Sequence, residues 1–120
     1  MEVFITSPKN NTLSGVGGFL NPEVEEYLRK GHNYRKSGQL SRAFRSYCQA
    51  LKLNPKSPVI WNNIGAIFYM SGDHSLAISC TRKALLLNPK YYNAKTNLET
   101  IEESLAPYNK SQKTKPKIVF

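Results

Sequence analysis

Little in this sequence suggests catalysis or an extracellular scaffold. It has two cysteines, Cys48 and Cys80, and two histidines, His32 and His74. Two thiols make no disulfide framework, and neither stands at ligand spacing from a histidine or from the other, so no metal site is expected. No base is placed to turn either thiol into a nucleophile. No apolar run approaches the roughly 18 residues of a membrane-spanning helix. The opening MEVFITSPKNNT offers only Val3, Phe4 and Ile5 as an apolar stretch beside Glu2, too short for a secretory signal. A cytoplasmic protein is therefore expected. The glycines at 15, 17 and 18 do not form G-x-G-x-x-G and follow no strand, which argues against a nucleotide site.

Acidic residues are also scarce, eight against seventeen basic ones, for a net charge of +9. Segments share that charge unequally. Residues 1–21 are balanced, 22–106 carry twelve basic and seven acidic side chains, and 107–120 hold Lys110, Lys113, Lys115 and Lys117 with no acid. A basic tail of this kind can touch nucleic acid, an anionic membrane surface or an acidic protein. It has only Tyr108 and Phe120 as aromatics, few for base stacking.

What the chain has is a sentence written twice. Residues 37–56 read SGQLSRAFRSYCQALKLNPK, and thirty-four residues later the chain reads SGDHSLAISCTRKALLLNPK, identical at ten of twenty positions. Around each copy the apolar spacing is helical. Asn21-Pro22 is a start signal, since Asn caps orphan N–H groups and Pro loses nothing in the first turn. Ser37-Gly38 ends that helix and a second runs over about 41–53 to Asn54-Pro55. The plan recurs with Ser57-Pro58 as the start, Gly72-Asp73 as the turn and Asn88-Pro89 as the stop. A fifth helix over 91–105 spaces Ala94, Leu98, Ile101 and Leu105 on one face, with Lys95, Glu99, Glu102 and Glu103 on the other. Residues 1–21 read as a flexible arm and 107–120 as a disordered basic tail, because neither has an apolar period.

A 34-residue helix–turn–helix period resembles the tetratricopeptide repeat. The first unit, about 24–57, carries its pattern as Tyr27, Gly31, Tyr34, Ala43, Tyr47, Ala50 and Pro55. The second, about 58–91, carries Trp61, Ile64, Gly65, Phe68, Ala77, Ala84 and Pro89, and departs at Thr81, where an aromatic is usual. The resemblance implies an all-α fold over 22–106: antiparallel hairpins stacked as a short right-handed superhelix, two repeats closed by a capping helix. Small residues mark close helix approach. Tyr27, Tyr34, Trp61 and Phe68 are expected to fill the space between hairpins, with Trp61→Ala costing about 3–5 kcal/mol if that residue is buried. So short a stack would gain from self-association or a partner.

The family's first helices line a concave groove. Carried onto this chain, the groove positions are Glu25, Leu28, Arg29, His32, Arg35 and Lys36 in the first unit. They are Val59, Asn62, Asn63, Ala66, Tyr69 and Met70 in the second, and Asn93, Thr96, Asn97, Thr100, Glu103 and Ser104 in the closing helix. The expected contact residues are Arg29, His32, Arg35, Lys36, Asn62, Asn63, Tyr69 and Asn97. Asn63 and Asn97 occupy equivalent positions and, since an amide donates and accepts at once, form a ladder suited to a peptide main chain. Arg29, Arg35 and Lys36 make one end basic, favouring an acidic group. The carboxylate clamp of the family's chaperone co-factors is matched only at Asn63, with Leu28, His32, Asn93 and Asn97 at the other places. The resemblance implies a non-enzymatic adaptor for a peptide or helical segment of another protein, with no cofactor and no small-molecule substrate. The rival expectations are electrostatic binding of nucleic acid or membrane by the tail, and a secretion-type chaperone.

Overall fold

In a computed structural model of the protein, residues 21–106 and 117–120 are described. Five helices follow one another: α1 (Pro22–Lys36), α2 (Leu40–Leu53), α3 (Pro58–Met70), α4 (His74–Leu87) and α5 (Tyr92–Leu105). The start signals act as their chemistry requires. Asn21 Oδ1 accepts from the Glu23 N–H at 2.8 Å, Ser57 Oγ from the Ile60 N–H at 3.2 Å, and Asp73 Oδ1 from the Leu76 N–H at 3.1 Å. Each satisfies a donor that the first helical turn leaves free. Gly38 and Gly72 turn the chain at φ of 80° and 90°, a region costly for any residue with a Cβ. No helix among the described residues is long and apolar enough to cross a membrane.

α1 pairs with α2 and α3 with α4 as antiparallel hairpins. The second hairpin stacks on the first through α2 and α3, α5 closes the stack against α4, and α3 also touches α5. The fold is all-α, two hairpins and a closing helix. Its core runs along the hairpin crossings: Val24, Ala43, Tyr47, Ala50, Ile60, Ile64, Ile67 and Cys80 form one buried cluster. Close approach explains the two helical glycines. A Cβ on Gly31 would lie 2.6 Å from Cδ1 of Tyr47, and one on Gly65 would lie 2.9 Å from Oγ1 of Thr81.

Two expectations change here. Tyr27, Tyr34, Trp61 and Phe68 pack against the core but stay half-buried, with Phe68 of α3 meeting Phe44 of α2 between the hairpins at 5.3 Å. Trp61 keeps a polar edge outside, where its indole N–H donates to the Pro55 carbonyl at 2.8 Å. Among the described residues the fully buried aromatic is Tyr47. The second change concerns the tail. Lys117–Phe120, expected to be disordered, lies hydrogen-bonded against α3 and α5. The arm at 1–20 and the tail residues 107–116 lie outside the described residues.

Candidate functional site

The segment Lys117–Phe120 marks out the groove. Its main chain is held by side chains of α3 and α5. The Thr100 hydroxyl donates to the Lys117 carbonyl at 2.8 Å, Asn97 Nδ2 to the Val119 carbonyl at 2.7 Å, and Asn93 Nδ2 to the Phe120 carbonyl at 3.3 Å. From α3, Asn62 Nδ2 donates to the same Val119 carbonyl at 2.8 Å. The Val119 N–H returns a bond to Asn97 Oδ1 at 2.6 Å, and Asn97 Nδ2 also donates to Asn62 Oδ1 at 2.9 Å. Asn97 thus uses both amide hydrogens and its carbonyl. The Val119 carbonyl uses both lone pairs. Buried amides closed in this way hold a peptide unit without reading its side chain.

Spacing explains why three rungs on one helix fit one strand. From Asn93 to Thr100 is seven residues of helix, about 10.5 Å of rise. From Lys117 to Phe120 is three steps of extended chain, about 10 Å. The two run in opposite directions and match only in overall length, since steps of three and four residues on the helix meet steps of two and one on the segment.

At the other end, the Arg35 guanidinium of α1 lies 4.1 Å from the centre of the Phe120 ring, and Phe120 packs against the core cluster. A guanidinium over an aromatic face is attracted by the ring's negative face. His32 Nδ1 is 2.7 Å from the Tyr47 hydroxyl, joining the groove-side helix to the core. Burial lowers the His32 pKa, and the charges of Arg35 and Lys36 push it the same way, so the neutral ring is favoured. Burial raises the Tyr47 phenol, with Arg35 partly opposing.

The expected contact residues separate. Asn62, Asn97 and Arg35 meet on the segment. Arg29 instead pairs with Glu26 on its own helix. Tyr69 sets its ring edge-on to His74, centroids 5.1 Å apart, and Lys36 is exposed. The ladder also differs from the one expected: Asn97 works with Asn62, while the Asn63 side chain is buried with neither amide atom hydrogen-bonded. Asn93 and Thr100, groove positions by the repeat pattern, bind the segment as well, and the repeat pattern does not extend to Ile118–Phe120. Three consecutive apolar residues in an otherwise polar tail were the available signal.

Elsewhere among the described residues no comparable arrangement of partners is seen. A cavity of about 370 Å³ between α1 and α2 is lined by Tyr27, Tyr34, Lys30, Arg42, Arg45, Ser46 and Gln49. Burial, with Cys48 and Asp73 adding to it, pushes the Cys80 thiol up to about 11, away from nucleophilic reactivity near neutral pH. Burial also raises Cys48. Among the described residues no three His, Cys, Asp or Glu side chains gather as metal ligands.

Known proteins repeat this plan. One family model described as TPR repeat matches residues 31–72, and one described as tetratricopeptide repeat matches 58–91. Over 84 residues the chain is 33% identical to the protein O-mannosyl-transferase TMTC1 of Homo sapiens, covering 68% of this chain and 10% of that protein. It is 39% identical over 74 residues to the BBSome complex member BBS4 homolog of Drosophila melanogaster, covering 62% and 15%. Over 91 residues it is 29% identical to the heat-shock protein cognate co-chaperone sgt12 of Aspergillus fumigatus, covering 76% and 27%. The chain therefore spans between a tenth and about a quarter of these relatives.

Proposed function

The chain belongs to the tetratricopeptide repeat family, and from that premise we propose that it is a non-enzymatic adaptor whose groove holds an extended segment of a partner protein. One observation carries this reading. Asn62 and Asn97 close a buried network on the main chain of Val119, satisfying its N–H and its carbonyl together. Such a network recognises extended main chain and rejects a helix, whose peptide groups are already paired. Two of the relatives support a protein partner by name, as a co-chaperone and as a member of a complex. The hydrogen bond of His32 to Tyr47 and the raised thiol of Cys80 are structural roles and fit a binding module.

A photo-crosslinking amino acid tests it. Placed at Tyr69, on the helix that supplies Asn62, it is expected to trap a protein. Placed at Leu86, which is 79% exposed on α4, it is expected to trap none. Crosslinks to nucleic acid, or to protein only from Leu86, would move the working surface to the tail or to the outer helices.

A further inference from the structure

The groove is occupied by the protein's own chain, and the contacts divide into two kinds. Those to the carbonyls of Lys117, Val119 and Phe120 and to the N–H of Val119 are made to main chain. They constrain sequence at one point only: residue 119 must donate an N–H, which proline cannot. The contact at Phe120 is selective, since it combines the Arg35 guanidinium at 4.1 Å with packing on the core. Ile118 and Val119 are half-buried between these ends, and Lys117 is exposed. The groove so read takes a short strand with an apolar middle, a free N–H at the central rung and an aromatic at the Arg35 end.

The resident segment is not an ideal occupant. The buried Nε of Arg35, beside Phe120, has no hydrogen-bond partner. A buried donor without a partner is costly, so a strand that brings an acceptor to it gains what Ile118–Phe120 does not supply.

We propose that the partner's segment is an extended strand of the pattern apolar, non-proline apolar, aromatic, and that Ile118-Val119-Phe120 is a built-in copy of it that the partner must displace. This rests on the adaptor reading and names its ligand. The segment's own position in the groove, hydrogen-bonded to Thr100, Asn97 and Asn93, is the observation that selects this occupant. The ten residues 107–116 reach about 33 Å when extended, which suffices for a return within one molecule.

The test uses the full chain and a labelled peptide copying Lys115–Phe120, KPKIVF, followed by fluorescence anisotropy. Val119→Pro deletes the central N–H donor and loosens the resident copy. It is expected to bind the peptide about tenfold more tightly than the unaltered chain, the equivalent of about one net hydrogen bond. Thr100→Val and Asn97→Ala, each added to Val119→Pro, are expected to weaken that binding, and so is replacing the peptide's phenylalanine by alanine. Thr100 is a surface hydroxyl, so its variant keeps the test valid if Asn97→Ala unfolds. Equal affinity with and without Val119→Pro overturns the competitor. Tight binding of KPKIVA, or a dimer of the unaltered chain that Val119→Pro dissolves, overturns it as well. If a random peptide library selects Asn97-dependent ligands lacking the aromatic, this ligand class falls while the adaptor reading stands; failure of the Tyr69 crosslink removes the adaptor reading and this ligand with it.

Discussion

In the first hairpin Gly31 lies against the ring of Tyr47, whereas in the second Gly65 lies against Thr81, with the Ala77 carbonyl 3.2 Å from where a Cβ would be. The same close approach is filled by a large rigid side chain in one unit and by a small hydroxyl, bonded back to its own helix at 2.7 Å, in the other. The helices that open the two units differ further. α1, at the end of the stack, buries only Val24 and Gly31, while α3 buries seven residues, Asn62 and Asn63 among them. α3 has α2, α4, α5 and the Lys117–Phe120 segment around it; α1 lacks a helix on its outer side among the described residues. Repetition therefore fixes the backbone plan and leaves each unit free to choose what fills the crossing and what faces the groove.

The largest expected contrast lies at the crossings. Tyr47→Ala is expected to cost about 3–5 kcal/mol, because a fully buried aromatic leaves a cavity that helices cannot close. Thr81→Ala is expected to cost about 1 kcal/mol, the net worth of a hydrogen bond. Urea unfolding measures both, and equal losses would break the distinction between the units. Next come the glycines. Gly31→Ala forces a Cβ into an immobile ring and is expected to destabilise by about 1–3 kcal/mol. Gly65→Ala is expected to cost less, since the nearest atom there is a single hydroxyl oxygen. Tyr47→Thr in the Gly31→Ala background makes the first crossing like the second and is expected to recover the clash term.

A smaller effect separates the groove faces. Asn97→Ala removes the acceptor of the Val119 N–H, and faster hydrogen exchange at Val119 is expected with little change at the crossings. Unchanged exchange would mean that the network does not hold the segment. The smallest effect is a pH slope. The His32 pKa is lowered by burial and by Arg35 and Lys36, so the unfolded chain binds the proton more readily. Its contribution to stability is full above the ordinary histidine pKa and is lost as pH falls through the folded one. Melting temperature is expected to fall more steeply from about pH 7.5 to 5 in the unaltered chain than in His32→Gln. Parallel curves would show that His32 titrates as it does in the unfolded chain.

The helices, their turns and the small residues at the crossings were legible in the sequence because each rests on local chemistry. A capping side chain reaches two or three residues, a left-handed glycine acts at its own position, and a 34-residue period repeats both. The aromatics were legible as a pattern but not as burial: Trp61 fits the repeat, yet its indole turns outward to the Pro55 carbonyl.

Only the tertiary structure decided which asparagine does what. Asn62 and Asn63 differ by one residue, a rotation of about 100° around the helix. The packing of α3 against α5 carries Asn62 to Asn97, thirty-five residues on, and leaves Asn63 buried without a partner. The return of Val119 to Asn62 across fifty-seven residues is likewise invisible to local spacing. Short-range hydrogen bonds and backbone conformation wrote the scaffold into the sequence. The groove's contents depend on the relative rotation of packed helices, which no single stretch of chain encodes.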